Sequence, residues 1–411
     1  MRLLVMKRIA CAALLLLAAL TTTGCWNRIE LNEVAITSAT GIDWDGENWI
    51  VSYQVVIPAA ISSVTGGSGG GGPKSPIIVY STKGKTIRDA IMHSFSESPR
   101  KLFFAHNRVV VIGEKAMNRG INELIDVYFR NSGSRETVSV LATPGTARKI
   151  LEQFMQLQAI SGAGMKEIII SEMKNTSILP NIPVYQLAME LTGDAKSAVV
   201  PEIFVSGSGD TSSLDSFSNT SIPSKLKLGR LAVLKDDKMI GWMSRKESLG
   251  AAYLRDSVQQ SFIVVPCEGG EGKKGYDTIQ ILKSSTKIIP KLRGSKLTFT
   301  ADVDVSGTLL ESNCAQDLYK PGVIQGLEQG GQVQISSLLQ DAWKKGQQMN
   351  TDIFGAAEKV HRKYPKQWKE WGKNWDEVFK EAPLETKIKF RMARMGLSNK
   401  SFQYLMDKRE K

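Results

Sequence analysis

The residue whose chemistry is most sharply defined by its surroundings is Cys25. It follows Gly24 at the end of a stretch in which residues 9–20 are all apolar, and Arg2, Lys7 and Arg8 precede that stretch with no acid among them. A basic start, a short apolar run and a small-residue site read as a secretory signal. With Gly24-Cys25 placed directly after it, the site reads as a lipobox, in which the cysteine thiol accepts a diacylglycerol. Thr22 stands where leucine is commonest in such a site, and plain secretion with cleavage elsewhere is the competing reading. The apolar run is shorter than the roughly 20 residues that cross a bilayer core as a helix. Two acyl chains on one cysteine, at about 0.8 kcal/mol for each buried methylene, give stable anchoring.

The other groups that could do chemistry are scattered. Cys11 leaves with the signal; Cys267 and Cys314 remain, and they are either free or bridged. His93, His106 and His361 lie far apart, and no Cys-x-x-Cys or Cys/His cluster occurs, so no metal site is expected. Thr82-Lys83-Gly84-Lys85-Thr86 resembles the end of a phosphate loop, but the earlier glycine such a loop needs is Val79, inside a strand. A plain turn is expected there. The glycine run at 66–72 matches nucleophile-elbow and dinucleotide patterns by accident, because Pro73 and a strand follow it where a helix is required. Arg362, Lys363, Lys366, Lys369 and Lys373 interleave with Tyr364, Trp368, Trp371 and Trp375. Their spacing of three and four favours a helix burying its tryptophans in a core over one lying on a membrane. No nucleophile–base pair or carboxylate pair stands out, so the chain reads as a non-enzyme without a cofactor.

The elements that would position these residues alternate first and then segregate. Val51, Tyr53, Val55 and Ile57 alternate with polar residues as a half-buried strand does. Short strands are expected at 77–80, 109–112 and 138–142, with amphipathic helices after the first two. Thr143-Pro144 looks like the cap and first turn of another helix. Residues 206–223 are rich in Ser, Gly, Asp and Thr and read as an interdomain linker. Beyond them a hairpin is expected around Lys235-Asp236-Asp237-Lys238, then strands at 262–265, 278–282 and 297–305. Helical stripes with Ile335, Leu339 and Trp343, and with Trp368, Trp375 and Phe379, come next. A last strand has Ile388, Phe390 and Met392 alternating with Lys387, Lys389 and Arg391. The expected architecture is multidomain α+β: a mixed α/β region at 25–205, subdivided near 145, the linker, and a domain at 224–411 with helices on a mainly antiparallel sheet. The formal charge of +12 falls to +9 when the three cations of the signal leave. On an exported chain that excess points to anionic lipid rather than nucleic acid.

Several segments together resemble the C-subunit lipoproteins of spore germinant receptors, the Ger(x)C family. They are Cys25-Trp26 with Glu30-Leu31, then Gly41-Ile42-Asp43, Leu102-Phe103-Phe104-Ala105-His106 and 109–114. Lys227-Leu228-Gly229-Arg230-Leu231-Ala232-Val233, Asp352-Ile353-Phe354-Gly355, Lys363-Tyr364-Pro365-Lys366-Gln367-Trp368 and Gly396-Leu397 continue the series. The resemblance runs over nearly the whole chain after Cys25, and the glycine-rich insert is a local departure. It implies a non-enzymatic subunit, lipid-anchored at Cys25 on the outer face of the spore inner membrane. Its implied partners are an A-type and a B-type membrane subunit of a nutrient germinant receptor. The competing class is a surface solute-binding lipoprotein serving a transporter; such proteins usually have two similar lobes, and here the halves differ in strand-to-helix order.

Overall fold

The computed structural model describes residues 2–21, 33–58, 60, 75–131, 133–209, 211–213, 220–221, 224–268, 274–294, 296–314, 316–318, 320–394 and 400–407. The first element is α1 (Arg2–Thr21), whose side chains from 2 to 14 are exposed. No helix among the described residues is long and apolar enough to cross a membrane.

A large sheet follows. Its strands are β1 (Val34–Trp44), β2 (Trp49–Val56), β3 (Ile77–Gly84), β4 (Lys101–Phe103), β5 (Val109–Gly113), β6 (Ser139–Thr143), β7 (Ser197–Gly207), β8 (Ser224–Lys235) and β9 (Lys238–Met243). Their spatial order is β3-β2-β1-β5-β6-β7-β8-β9, with β4 pairing the start of β1. The central pairs β1–β5, β5–β6 and β6–β7 are parallel, while the flanking pairs are antiparallel. Every residue of β5 and β6 is buried, which is the environment parallel strands need when helices cover both faces. Those helices are α2 (Ile87–Glu97), α3 (Glu114–Arg119), α4 (Asn122–Arg130), α5 (Ala147–Leu151), α6 (Ser161–Asn175) and α7 (Val184–Leu191). Residues 206–223, expected as a linker, join antiparallel neighbours: Gly207 pairs with Ser224, so one sheet runs through both sides of that span.

The second sheet has the order β10-β11-β12-β13, from β10 (Ser261–Glu268), β11 (Lys274–Arg293), β12 (Lys296–Ser312) and β13 (Leu384–Arg394). Its first three strands form an antiparallel meander, and β13 returns parallel to β12. A parallel return requires a long crossover. It consists of α9 (Pro321–Gln348), α10 (Ala356–Lys363), α11 (Pro365–Trp371) and α12 (Trp375–Glu381), with a short 3₁₀ turn at Gly372–Asn374. Phe299 of β12 meets Trp343 of α9 at 5.1 Å between ring centroids, and Trp343 meets Phe354 at 5.3 Å and Phe379 at 4.8 Å. Aromatic cores of this kind gain edge-on and offset ring contacts beyond their buried area. Between the sheets lies α8 (Arg245–Leu254), started by a capping box in which Ser244 and Glu247 satisfy each other's backbone N–H groups. A mixed α/β region followed by a mainly antiparallel sheet with packed helices is therefore the observed architecture.

Candidate functional site

The residues that sequence reasoning singled out separate into surface, core and undescribed positions. Cys25 and the glycine run at 66–72 lie outside the described residues. The Gly-Lys-Thr turn is structural, as expected. The Thr86 hydroxyl caps α2 by accepting from Asp89 N, and Asp89 accepts from Lys85 N, so the helix start is already satisfied from within. Gly84 is required by packing, since a Cβ there would lie 2.2 Å from Ala90 N. His106 is exposed in a 3₁₀ turn beside Phe103. Its neighbour Asn107 is the buried member of that segment and donates to Thr40 Oγ1 and the Tyr128 hydroxyl. The tryptophan stripe is broken at Pro365 and Gly372 into separate short helices. Trp375 and Phe379 enter the core, Trp368 and Trp371 pack on its rim, and the interleaved cations remain exposed.

Three polar members of the signature segments, Asp43, Arg230 and Asp352, hold other parts of the chain. Asp43, 6 % exposed, accepts from Ala147 N at 2.8 Å and Arg148 N at 3.2 Å, so it caps α5 from another strand. Thr143-Pro144, expected to be that cap, is not: α5 begins at Ala147, and its N-cap Thr146 makes no side-chain bond. Burial pushes the Asp43 carboxyl up, and the two backbone donors pull against it. Arg230 of β8 makes a two-pronged ion pair with buried Glu202 of β7, at 2.7 and 3.0 Å, and lies over the Trp242 ring of β9 at 4.5 Å. Trp242 Nε1 in turn donates to Glu114 of α3. Gly229 is needed because a Cβ would meet Glu202 Oε2 at 2.2 Å.

The densest of these constellations joins the two sheets. Asp352, 1 % exposed, starts the turn between α9 and α10. Its Oδ1 accepts from Phe354 N and Ala356 N, and its Oδ2 from Ala357 N and Trp375 Nε1. Burial pushes its carboxyl up, against the pull of those four donors. The Asp352 carbonyl accepts from the hydroxyl of Ser197 on β7. Arg255, just after α8, donates to the Ile353 carbonyl at 2.8 Å and to Glu190 of α7 at 2.5 Å. His361 pairs with Asp194 at 2.8 Å, and Lys235 of β8 with Asp376 of α12 at 2.5 Å. These bonds surround a cleft of about 200 Å³ lined by Glu190, Ser197, Arg255, Asp352, Gly355 and Glu358. In it, Ser197 donates to a carbonyl and Arg255 is held by Glu190. The arrangement holds two bodies in register and aims no nucleophile at a general base. Sequence reading recognised Asp352-Ile353-Phe354-Gly355 as a signature but not as a clamp; the cue was an aspartate directly ahead of an amphipathic stripe, a cap signal.

Cys267 and Cys314 form a disulfide with Cα atoms 6.1 Å apart, closing a loop around the β11–β12 hairpin. A closed loop of this length stabilises by roughly 4 kcal/mol through the unfolded state. Asp277 lies beside the bridge at 1 % exposure, but the two sulfurs that could join it in holding a metal are bonded to each other. Burial pushes the Asp277 carboxyl up, while hydrogen bonds from Ser312 and Gln316 pull it down. The folded chain therefore holds this proton more tightly than the unfolded chain. Its contribution is complete below the ordinary aspartate range and is lost as pH rises through the raised value. Asp277→Asn is expected to melt above the parent at pH 7 and to converge with it as the pH falls below the ordinary aspartate value of about 4. Thermal melts across that range check this, and a constant difference at every pH would reject it.

Residues 27–205 match the family model described as spore germination protein N-terminal domain, and residues 229–396 match spore germination B3/GerAC like, C-terminal. The chain is 27% identical to spore germination protein KC of Bacillus subtilis (strain 168), over 96% of this chain and 97% of that protein. Spore germination protein B3 of the same organism is 21% identical, over 93% and 96%. The crystal structure of the GerBC protein shares the fold, with a TM-score of 0.55 and 17% identity over 86% of this chain and 96% of that one. With both family models matched in order over most of its length, the chain belongs to the Ger(x)C family of spore germinant receptor C subunits.

Proposed function

We propose that this protein is a lipid-anchored, non-enzymatic subunit of a nutrient germinant receptor in the spore inner membrane. Its work is to support assembly of the receptor and the triggering of germination. One observation carries the reading: the polar signature residues Asp43, Arg230 and Asp352 are all engaged in bonds that fix strands and helices to one another. A scaffold that presents surfaces to partners needs that rigidity, whereas an enzyme of this size would keep some polar groups free for substrate. The relatives named above are spore germination proteins along their whole length, which supports the same role. The partners are A-type and B-type membrane subunits. A tagged chain recovered from spore membranes should bring down both; recovery of neither, with nutrient germination intact after gene deletion, would defeat the reading.

The anchor is Cys25, placing the protein on the outer face of that membrane. Cys25→Ser is expected to move the protein from the membrane fraction to the soluble fraction of broken spores and to lower the germination rate with it. Two acyl chains supply most of the affinity, so the partition should fall by orders of magnitude. Unchanged membrane recovery of the serine variant would show that some other group holds it.

A further inference from the structure

The four-stranded sheet has one face under α9, where Gly330 meets Val265 and Gly331 meets Phe390, and no described helix of the crossover covers its other face. On the open face, β11 presents Lys283, Lys287 and Lys291, and β13 presents Lys387, Lys389 and Arg391, all exposed. The registers align five of them in rows across β12, Lys287–Asp302–Lys387, Ser285–Asp304–Lys389 and Lys283–Ser306–Arg391, and Lys291 lies further along β11 opposite Thr298. Six cations thus face two carboxylates, and Arg391 pairs with Asp304 at 2.8 Å. A further cation, Arg293, is balanced by Glu385 at 2.9 Å. Toward β10 the same face carries exposed apolar side chains. Phe262 and Val264 stand opposite Gln280 and Thr278, with Tyr276 and Leu310 beside them, at 39, 49, 47 and 55 % exposure, and Glu311 opposite Thr278 is the exposed acid at the far margin of that row.

We propose that this face lies on an anionic lipid surface, with the lysine rows over the headgroups and the β10 end at the headgroup–acyl boundary. Charge sign selects an anionic occupant, and residue type selects lipid over protein. Five of the six cations are lysines, strongly hydrated point charges that are depleted from desolvated protein interfaces, where arginine is enriched. Lysine suits a diffuse charged plane, to which each residue near the surface adds about 1 kcal/mol. Exposed Phe, Tyr, Val and Leu next to lysine are the composition of a surface-lying segment. The choice of occupant rests on the membrane placement proposed above; the test needs no receptor partner.

The full-length chain carrying Cys25→Ser, and therefore without an acyl tether, is mixed with vesicles of phosphatidylcholine alone or with phosphatidylglycerol. The expected result is preferential binding to the anionic vesicles, abolished by salt. Lys283→Gln/Lys387→Gln/Lys389→Gln should reduce the partition coefficient roughly a hundredfold, about fivefold for each cation. Lys366→Gln/Lys369→Gln/Lys373→Gln removes the same charge from α11 and the turn after it, and should keep most of the binding. Equal binding by the first variant, or equal loss in the second, would overturn the proposal. So would a parent chain indifferent to phosphatidylglycerol whose first variant no longer captures the receptor's membrane subunits, since that assigns the face to an acidic protein. Failure of the receptor reading itself would show in the pull-down and leave the vesicle result standing.

Discussion

Gly250→Val is expected to lower stability by roughly 4 kcal/mol and the melting temperature by about 5 °C, mostly by forcing apart the two helices between the sheets. Gly250 is in α8, which follows β9 directly and so belongs to the large sheet; α9 belongs to the small one. A Cβ at this position would lie 2.0 Å from the Leu338 carbonyl oxygen and 2.8 Å from Ala342 Cβ. The first obstacle is backbone, which cannot rotate away as a side chain can. Both helices would have to separate by more than an ångström along a contact where Leu249, Ala251, Tyr253 and Leu254 are also buried. Close packing forfeits much of its attraction over such a gap. Gly250→Ala should cost less, because alanine recovers about 1 kcal/mol of helix propensity. The measurement is a pair of thermal melts with limited proteolysis, cleavage in the variant appearing first between the sheets. A valine variant that melts with the parent would mean the helices do not cross here.

That crossing shows what a one-dimensional reading reaches. Local patterns were legible: the hairpin at Lys235–Lys238, the buried strand at 109–112 and the alternation of β13 all follow from periods that neighbouring residues set. The length of β11 was not. Only 278–282 read as strand, because Pro290 and the exposed lysines interrupt the apolar signal, yet the strand runs to Arg293. Proline is tolerated there because β10 pairs only the first part of β11, so beyond Ile281 just one edge pairs with another strand, β12. The carbonyl of Pro290 also receives Lys363 Nζ and the Tyr364 hydroxyl. The clamps were less legible still. Asp43 reaches a helix 104 residues away and Ser197 reaches Asp352 across 155, and nothing in the neighbourhood of either residue announces its partner. Family resemblance located Asp43 and Asp352, and only the fold shows that their work is internal.

Asp352→Ala is expected to cost about 5 kcal/mol, the largest effect of a single polar change in this chain. The carboxylate satisfies three backbone N–H groups of the turn into α10 and the indole of Trp375. Alanine leaves four buried donors without an acceptor, each costing about 1–3 kcal/mol before relaxation or entering water recovers a part. Asp352→Asn keeps one acceptor oxygen and places an amide among donors, so it should lose roughly half as much. The damage would spread beyond the turn, because the same residue's carbonyl holds Ser197 and the adjoining Ile353 carbonyl holds Arg255. Loosening this turn frees β7 and α7 from the crossover helices and lets the two sheets move independently. If the protein works as a rigid scaffold, germination should fail in the order of the melting temperatures, parent above asparagine above alanine. An alanine variant within about 1 kcal/mol of the parent would remove Asp352 as the clamp. A germination defect without loss of stability would instead place a partner on this turn.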